Sequence, residues 1–437
     1  MRILHYFLGF HRAGGLNRYA GDLAREQARS GDEVFALFPG GSLFPRRHAV
    51  IRPRSSRDGV RCFELLGGDP VPLLFGIREP RMILDGAHRL PEAAVVRFCD
   101  TVRPEVFHIH SWMGFPGELL DELKRRGTKI VFTTHDYFGL CPKVNFIDGS
   151  GKLCDAPDDR RCSACNAGAP SERALAIRNN RLLLSMKKLL RPLAGSGRRS
   201  GGGAAPNGAS EIRDYDTLRG HYVELLRKCD VIHANSEVSA GVYRRFVPDL
   251  PLQVVPISHS GICDRRRVRP VGATVKLAFS GPAADFKGLP LLLRVLKELY
   301  DAGVRNWRLD VWGAAGGNDC PGVSYRGSYN SDRHAEVYGG SDLLIVPSVW
   351  NETFGFIVPE ALSFGTPVLC SDTVGAQMLV SPEMVYHGEA GLRDKLESLL
   401  RHPKELERLN RSICKAGFEL NMESHVKKMS ILYNGGL

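Results

Sequence analysis

The segment PSVWNETFGFIVPEALSFGTPV, residues 347–368, contains the most informative pattern of the sequence for its fold. The apolar run LLIV before it is typical of a buried strand, and a second apolar run begins at Val368. Between the two runs we predict a loop that carries Glu352 and a helix that begins near Phe354 and contains Glu360. A strand, a helix and a second strand in this order are typical of a parallel α/β sheet.

The same alternation of strands and helices extends along the chain. Short apolar runs alternate with helical patterns from Ile3 to about Phe246, and the alternation restarts near Val275. A Pro-, Gly- and Arg-rich stretch at 258–272 separates the two halves. We therefore predict an α/β fold with two Rossmann-like domains that face each other, and a ligand site in the cleft between them. The predicted domains are residues 1–260 and 261–415, with a last helix (416–437) that packs back on the N-terminal domain.

Positive charge is concentrated in one segment of the sequence. The 437 residues have a formal net charge of +11, which on its own would suit a polyanionic partner. Residues 171–200, however, hold eight basic residues and one acidic residue, and the rest of the chain is close to neutral. This distribution argues against a general nucleic-acid-binding surface, so no nucleic acid partner is expected.

A large insertion, predicted at about 138–220, interrupts the N-terminal domain. It includes a basic amphipathic helix, Glu172 to Leu190, with leucines on one face and arginines and lysines on the other. This helix either rests on an anionic membrane surface or packs its apolar face on its own domain. A Gly- and Ser-rich tract at 194–207 follows, and its composition predicts flexibility.

We expect a cytoplasmic protein, with peripheral contact at the cytoplasmic face of the membrane as the alternative that the basic helix leaves open. No apolar run approaches the roughly 18 residues that cross a bilayer. The first residues, MRILHYF, read as a core strand without the cleavage site of an export signal.

Residues 347–368 also carry candidate ligand-binding groups. At a helix N-terminus, the backbone N–H groups of Thr353, Phe354 and Gly355 suit a phosphate oxygen. The Glu352 carboxylate before that turn can accept hydrogen bonds from sugar hydroxyls. Glu360, about two turns along, can accept them from the paired hydroxyls of a ribose. The alternative is a helix N-terminus with one capping acid and one buried carboxylate.

This segment resembles the signature of the retaining glycosyltransferases of family 4. Two glutamates separated by seven residues, E-x-F-G-x4-E, are followed by A-x3-G-x-P-V, and the sequence fits at each of these positions. Pro347-Ser348, Asp342 and Ala234-Asn235-Ser236 also look like this family. The resemblance implies the GT-B fold, a nucleotide-diphosphate sugar donor, retention of the anomeric configuration and no cofactor for catalysis. It also implies a saccharide or lipid-linked acceptor, in surface polysaccharide or glycoconjugate synthesis.

A second loop, SGPAADFKG at 280–288, carries a candidate cation. Lys287 can place its ammonium against a diphosphate and offset the charge that develops as the leaving group departs. Gly281 begins the loop as in the family, but Pro282 stands where the family usually has an arginine. Either another base such as Arg326 replaces that arginine, or this branch has fewer cations. A solvated lysine that opens a helix is the alternative.

Further candidates lie in the N-terminal half. Gly14 and Gly15 follow the first predicted strand, where glycines let a ligand approach the backbone. His135 ends a strand on the side where ligands bind, and the resemblance implies that it lies near the sugar and the acceptor. An imidazole there would orient a hydroxyl or accept its proton, although strand-end histidines are often purely structural. His110 is a weaker second candidate.

Four of the 11 cysteines are clustered within the insertion. Cys141, Cys154, Cys162 and Cys165 have the spacing C-x12-C-x7-C-x2-C, and four thiolates with a closing C-x-x-C are typical of tetrahedral zinc. We predict a structural zinc that rigidifies this loop, with four independent thiols or a redox pair as alternatives. The approach DYFGLCP after His135 looks like a branch of the family whose members carry such cysteines after the His-Asp motif.

The sequence therefore predicts a glycosyltransferase in which Lys287 and the amides of Phe354 and Gly355 stabilise the departing diphosphate. Glu352 would hold the donor sugar and Glu360 the ribose. The predicted catalytic residues are His135, Lys287 and Glu352. The rest of the predicted donor site consists of Gly14, Gly15, Gly281, Thr353, Phe354, Gly355 and Glu360.

Two other functions stay open at this point. One is a zinc-bearing basic binding module whose cleft is inactive because of Pro282. The other is a phosphorylase or a nucleotide-sugar epimerase on the same fold. The sequence determines neither the sugar nor the nucleobase nor the acceptor.

Overall fold

The computed structural model describes residues 1–41, 48–179, 211–317 and 320–435, and it divides into two compact units. The first unit consists of Met1–Ala234, Tyr243–Gln253 and Ser430–Leu437, and the second of Asn235–Val242 and Val254–Met429. Each unit is a Rossmann-like α/β structure around one sheet, so the predicted α/β fold is confirmed. By this division the predicted boundary at residue 260 lies a few residues inside the second unit.

The first unit is built on an eight-stranded sheet. Its strands are β1 (Arg2–Tyr6), β2 (Glu33–Gly40), β3 (Val50–Arg57), β4 (Val60–Leu66), β5 (Val106–Ile109), β6 (Lys129–Thr133), β7 (Val231–Ala234) and β8 (Leu252–Val254). Their order is β3-β4-β2-β1-β5-β6-β7-β8. β1 pairs in parallel with β2 and β5, whereas β3 and β4 form an antiparallel pair at the edge.

The central strands of this sheet carry buried polar side chains. His5 of β1 and His108 of β5 lie opposite each other in register, and both are fully buried. Thr133 of β6 and His233 of β7 are also fully buried. A buried polar side chain is costly unless it is hydrogen-bonded, so these four side chains need partners inside the unit.

Helices cover the sheet of the first unit. They are α1 (Gly15–Arg29), α2 (Arg81–Leu84), α3 (Glu92–Val102), α4 (Gly117–Arg125), α5 (Asp159–Asn166), α6 (Glu172–Asn179) and α7 (Tyr215–Arg227), while α8 (Glu237–Phe246) has residues in both units. The turn before α1 requires glycine, because Gly14 has a φ of 115° that side chains of L-residues rarely adopt.

The second unit has a six-stranded parallel sheet. Its strands are β9 (Val275–Ser280), β10 (Trp307–Trp312), β11 (Val323–Gly327), β12 (Leu343–Val346), β13 (Val368–Ser371) and β14 (Val385–Tyr386). They lie in the order β11-β10-β9-β12-β13-β14. The carboxyl ends of β9 and β12, which are neighbours, therefore point to the same edge of the sheet.

Six helices of the second unit lie within the described residues. They are α9 (Leu289–Asp301), α10 (His334–Val337), α11 (Ile357–Leu362), α12 (Gly388–Arg401), α13 (Lys404–Lys415) and α14 (Met422–Tyr433), whose residues from Ser430 onward belong to the first unit. The apolar face of α9 shows why these sequences fold against the sheet. Leu292, Val295, Leu296 and Leu299 follow helical spacing and are buried in one core with Leu277 of β9.

The structure differs from the sequence-based prediction at the start of α11. The helix begins at Ile357 and not near Phe354. Gly355 has a φ of 97°, which is incompatible with a right-handed helix, so the loop continues through Phe356. Glu360 lies on this helix as predicted.

Part of the predicted insertion lies outside the described residues. The structure describes it up to Asn179 and again from Glu211, so the second half of the basic helix and the Gly- and Ser-rich tract at 194–207 are not covered. Among the helices that the described residues form, none has the length and apolarity needed to span a membrane.

Candidate active site

The loop that carries Glu352 is held by backbone hydrogen bonds. It follows β12, and the Glu352 N–H donates to the Thr373 carbonyl at 2.9 Å, while the Gly375 N–H donates to the Glu352 carbonyl at 2.9 Å. Ser236 Oγ donates to the Thr353 carbonyl at 2.6 Å. The loop is therefore tied on both sides, and Glu352 is positioned by the backbone of the segment after β13.

Both carboxylate oxygens of Glu352 have partners. Lys287 Nζ donates to Oε1 at 2.6 Å, and Ser348 Oγ donates to Oε2 at 2.6 Å. The Lys287 ammonium also lies 5.4 Å from the centre of the Trp350 ring, a distance typical of a cation–π contact. The side chains of Lys287 and Glu352 are 23% and 11% exposed, so this ion pair is largely shielded from solvent.

A glycine brings the lysine loop against the glutamate loop. Gly288 has a φ of 76°, and a Cβ atom there would lie 1.7 Å from the Pro347 carbonyl oxygen. The Val349 N–H donates to the Phe286 carbonyl at 2.9 Å, so the two loops also share a backbone hydrogen bond. Because only glycine permits this approach, the Lys-Gly pair of the sequence has a structural reason as well as a chemical one.

Glu360 is buried within a second hydrogen-bonded group. His259 Nε2 lies 3.0 Å from Oε1, and Tyr338 Oη donates to Oε2 at 2.7 Å. Burial tends to raise the pKa of Glu360, but the hydrogen bond and the charge of His259, together with His334 and Tyr338, hold that pKa below its usual value. The carboxylate is thus kept ionised as a hydrogen-bond acceptor.

The partners of Glu360 were not predicted from the sequence. His259 lies in the stretch that separates the two halves, where its Pro-, Gly- and Arg-rich surroundings resemble a linker. Tyr338 follows the short helix α10, and its hydroxyl is 3.2 Å from that of Tyr329, which in turn contacts Ser280 Oγ at the end of β9. A tyrosine among apolar residues is usually interpreted as a core residue, so no local pattern predicted a role for the hydroxyls of Tyr338 and Tyr329.

Arg326, which was considered as a substitute for the arginine that is missing at position 282, is already part of an ion pair. Its guanidinium is paired with Asp310, with 2.8 Å between Arg326 Nε and Asp310 Oδ1, on the neighbouring strand. Gly281 has an ordinary backbone conformation, and its N–H donates to the Trp312 carbonyl at 2.9 Å.

In the first unit, His135 follows β6 and Thr134. Its Nε2 lies 3.2 Å from His110 Nδ1, and its ring centre lies 5.0 Å from that of Tyr19. Burial, and then the charge of His233, lower the pKa of His135 to about 3, so the ring is neutral at physiological pH. Gly14 and Gly15 lie at the start of α1 in the same unit.

Comparison with known proteins identifies the family of the chain. Residues 14–200 match the model of the glycosyl transferase 4-like domain, and residues 274–415 match the model of the glycosyl transferases group 1. The two matches together cover most of the chain. The chain belongs to the group 1 glycosyltransferases. Members of this group with the 4-like domain are retaining GT-B enzymes that use nucleotide sugars.

Curated relatives of this glycosyltransferase are distant. The D-inositol 3-phosphate glycosyltransferase of Corynebacterium diphtheriae is 26% identical over 401 residues, which cover 87% of this chain and 78% of that protein. The one of Corynebacterium glutamicum is 27% identical over 190 residues, which cover 38% of this chain and 44% of that protein. The match covers less than half of one of these relatives. The donor and the acceptor of this chain, and the reaction that joins them, are therefore treated as proposals below.

Solved structures show the same fold as this glycosyltransferase. Sucrose-phosphate synthase from Thermosynechococcus elongatus has a TM-score of 0.61 at 16% identity, over 99% of this chain and 98% of that one. WaaG, a glycosyltransferase involved in lipopolysaccharide biosynthesis, has a TM-score of 0.55 at 12% identity, over 99% of this chain and 100% of that one. At such identities the likeness supports the GT-B fold alone, and the predicted fold is confirmed.

The predicted site residues of this glycosyltransferase fall into two groups. Lys287, Glu352 and Glu360 belong to the second unit, where the first two are in direct contact. Glu360 lies in the first turn of α11, so the predicted position about two turns along the helix is wrong. Gly281, Thr353, Phe354 and Gly355 lie on the same two loops. Gly14, Gly15 and His135 belong to the first unit.

The first unit of this glycosyltransferase also contains a polar cavity of about 270 Å³ beyond the ends of β4 and β5. Its charged lining consists of Asp69, Glu118, Asp121 and Glu224 together with His88, Arg89, His221 and Lys228. Lys228 Nζ lies 2.6 Å from Asp121, and Arg89 Nε lies 3.6 Å from Glu118. Burial raises the pKa of Asp69 to about 7.

The four clustered cysteines lie near one another on the loop before α5 and on α5 itself. Burial raises the pKa of Cys141 to about 11 and that of Cys162 to about 12, and the neighbouring thiols add to both shifts. A tetrahedral zinc site needs sulfurs that converge on one point. Within the described residues, three ligand atoms come within 4.8 Å of one another at His5, His108 and His110, and not at the cysteines. The zinc site therefore stays a prediction from the sequence.

Proposed function

We propose that this chain transfers a sugar, with retention of its anomeric configuration, from a nucleotide-diphosphate sugar to a hydroxyl group of an acceptor. The observation that carries the proposal is the contact between Lys287 and Glu352, which joins the two signature loops in one site. A cation at this place would stabilise the charge that develops on a departing diphosphate, and a carboxylate beside it can accept hydrogen bonds from sugar hydroxyls.

Lys287 is proposed to stabilise the leaving group. When the bond between the anomeric carbon and the diphosphate oxygen breaks, negative charge develops on that oxygen. The Lys287 ammonium offsets it, assisted by the backbone N–H groups of Phe354 and Gly355. Glu352 keeps Lys287 in place and offers its remaining lone pairs to hydroxyls of the donor sugar.

Glu360 is proposed to bind the ribose of the nucleotide. Its Oε1 lies 3.0 Å from His259 Nε2 and its Oε2 accepts from Tyr338 Oη, and a carboxylate oxygen can accept more than one hydrogen bond. His259 and Tyr338 therefore orient the carboxylate. In the first unit, Gly14 and Gly15 are proposed to let the donor approach the backbone.

His135 is proposed to orient the hydroxyl that reacts, because a ring with a pKa of about 3 is too weak a base to take its proton. Its low pKa keeps the imidazole neutral, and only a neutral imidazole has a nitrogen lone pair to offer. We do not assign a protein nucleophile.

The acceptor is proposed to be a saccharide or a polyol that carries an anionic group. The polar cavity of the first unit supports this class, because its carboxylates suit hydroxyls, while Arg89 and Lys228 could exchange their partners Glu118 and Asp121 for an anion. The names of the curated relatives point the same way, since inositol 3-phosphate has both kinds of group. Arg89→Gln should then raise the acceptor KM without changing the affinity for the donor.

Peripheral contact with an anionic membrane is proposed for the face that carries α6. Leu74, Phe75 and Ile177 are 64%, 46% and 60% exposed, and the Arg178 guanidinium lies 4.4 Å from the centre of the Phe75 ring. Exposed apolar side chains beside arginines suit the surface of an anionic bilayer. Binding to vesicles with and without anionic lipid tests this point separately from catalysis.

A panel of nucleotide sugars in a thermal-shift assay tests the central proposal. A donor that binds the folded state raises the melting temperature, and calorimetry with the matching nucleoside diphosphate then gives its Kd. NMR of the product reports the anomeric configuration. Absence of binding by every nucleotide would favour the inactive binding module, and turnover with phosphate or without an acceptor would favour the phosphorylase or the epimerase.

A further inference from the structure

A continuous chain of hydrogen bonds runs through the core of the first unit. It connects Gln27 on α1 with His5 on β1, His110 after β5 and His135 after β6. We call these four residues the histidine relay. Gln27, His5 and His110 are buried to 1% exposure or less, and His135 is the member that is partly exposed. Sequence analysis singled out His135 and His110 but not the other two.

The distances within the histidine relay are those of ordinary hydrogen bonds. Gln27 Oε1 lies 2.7 Å from His5 Nε2, and His5 Nδ1 lies 3.0 Å from His110 Nε2. His110 Nδ1 lies 3.2 Å from His135 Nε2. Both ring nitrogens of His5 and of His110 therefore have partners within the relay.

These contacts determine which nitrogen of each ring carries the proton. An amide oxygen can only accept, so His5 Nε2 carries a proton and its Nδ1 is an acceptor. His110 must then donate from Nε2 and accept at Nδ1, because a neutral imidazole has one donor and one acceptor. His135 must donate from Nε2, which leaves Nδ1 as its unprotonated nitrogen.

All three rings are neutral at physiological pH, as this assignment requires. Burial lowers the pKa of His5 to about 4. Burial also lowers the pKa of His110 well below its usual value, and the charges of the neighbouring histidines add to the effect. A second proton on His5 or His110 would place two donors face to face.

A second branch leaves Gln27 on its other side. Gln27 Nε2 donates to Tyr433 Oη at 3.2 Å, and that hydroxyl lies 2.7 Å from His108 Nδ1. His108 Nε2 lies 2.6 Å from Thr133 Oγ1, which lies 2.9 Å from His233 Nδ1. Because Tyr433 Oη accepts from Gln27, we take its own proton to be donated to His108 Nδ1, which leaves the proton of this ring on Nε2.

The donor-to-acceptor direction of the hydrogen bonds in both branches depends on the Gln27 amide. If the Gln27 amide were turned over, its NH2 would face His5, and every donor and acceptor in the two branches would exchange roles. His135 would then carry its proton on Nδ1. The Gln27 amide, three hydrogen bonds away, therefore selects between the two neutral forms of His135.

We propose that Gln27 is a positioning residue, which through His5 and His110 holds His135 in the form that presents Nδ1 as a hydrogen-bond acceptor. The catalytic consequence rests on the proposed role of His135 toward the reacting hydroxyl. The tautomer itself is a property of the folded chain and does not depend on that role.

The alternative for this cluster is a metal site. His5, His108 and His110 offer three nitrogens within 4.8 Å of one another. Each of these rings, however, has both nitrogens in hydrogen bonds with Gln27, Tyr433, Thr133 or another histidine, so a metal would have to break the bonds that satisfy the core.

Two substitutions of Gln27 make different predictions for the two branches. Gln27→Glu places an acceptor oxygen toward both His5 and Tyr433. His135 should keep its proton on Nε2, whereas Tyr433 must now donate to the carboxylate and accept from His108, whose proton moves to Nδ1. Gln27→Met removes both hydrogen bonds at similar volume, so His135 and His108 should each become a mixture of the two forms.

Long-range proton–nitrogen NMR of the full chain with 15N-labelled histidine tests the proposal, because the Nδ1 and Nε2 shifts distinguish the tautomers. His135→Gln and His108→Gln assign the signals. In the glycosyltransferase assay, Gln27→Met should lower kcat at least about tenfold with an unchanged donor KM, and Gln27→Glu should retain the wild-type kcat. If Gln27→Met does not fold, Tyr433→Phe, which releases the amide NH2, should mix the His135 signals.

Three results would overturn the proposal. They are a His135 that carries its proton on Nδ1 in the wild type, His135 signals that Gln27→Met leaves unchanged, and a stoichiometric metal that shifts the signals of His5 and His110. A wild type that binds no nucleotide would contradict the proposed function instead, and it would leave the NMR result standing.

Discussion

Lys287 and Glu352 are positioned by each other, so the loss of either has two effects. The 2.6 Å contact joins the cation that we propose for the leaving group to the carboxylate that we propose for the sugar. Lys287→Ala removes the cation and leaves a largely buried carboxylate without its counter-charge. Such a carboxylate would disturb donor orientation as well as leaving-group stabilisation.

Lys287→Ala is expected to lower kcat by about 100-fold while the donor Kd changes much less, because the lysine acts on charge that develops in the transition state. Lys297→Ala is the matched control, since Lys297 is an exposed lysine on α9 that pairs with Asp301 at 2.7 Å. Steady-state kinetics and calorimetry measure both effects. An unchanged kcat in Lys287→Ala would remove this lysine from the mechanism.

Glu360→Gln is expected to weaken nucleoside diphosphate binding by about tenfold, because an amide offers one acceptor oxygen where the carboxylate offers two. Tyr338→Phe removes one of the two contacts that orient Glu360 and should have a smaller effect in the same direction. Calorimetric titration with nucleoside diphosphate gives the affinities. Equal affinity in Glu360→Gln and the wild type would contradict the ribose role.

At the scale of elements, the site depends on how closely two loops approach. Gly288→Ala would place a Cβ 1.7 Å from the Pro347 oxygen and force the loops after β9 and β12 apart. The expected loss of unfolding free energy is at least about 2 kcal/mol, measured by chemical denaturation. Gly303→Ala is the control, because Gly303 has a φ of 92° but no atom within 4 Å of the Cβ position. Equal losses in both variants would mean that the close approach contributes nothing.

The buried strand histidines make the first unit sensitive to acid. His5 has its pKa lowered by burial to about 4 from an ordinary value of 6.5. The unfolded chain therefore binds more protons than the folded one between these values, and stability falls as the pH drops below about 6.5. The titration of His5 alone should lower the free energy of unfolding by about 2 kcal/mol between pH 7 and pH 5. Urea unfolding at a series of pH values measures this loss, and His5→Gln should make the free energy of unfolding depend less on pH. The same pH profile in the wild type and in His5→Gln would contradict the role of His5.

Local patterns predicted the elements and the signature loops but not the hydrogen-bond partners. Strands such as β12 were predictable because four apolar residues before a proline leave few alternatives, and the place of α11 followed from the same stretch. The residue at which α11 begins was not predictable, since it depends on the positive φ of Gly355. The partners of Glu360 come from distant parts of the chain, so no local spacing reveals them.

The histidine relay shows the same limit. Its members lie on α1, on β1 and just after β5 and β6, which are far apart in the sequence, and the pairing of β5 with both β1 and β6 brings them together. Tyr433 reaches the same core from the last helix. A histidine on an apolar strand reads simply as a buried residue until the sheet order is known.

At the scale of the whole molecule, the division of labour between the two units can be tested. Lys287, Glu352 and Glu360 belong to the second unit, whereas His135 and the polar cavity belong to the first. If the nucleotide is bound by the second unit, a nucleoside diphosphate alone should slow amide hydrogen exchange in residues 280–288 and 347–360. The core of the β1–β5–β6 region should exchange as before, and it serves as the internal control. Protection confined to the first unit would contradict the assignment of the donor site, because a ligand stabilises the segments that hold it.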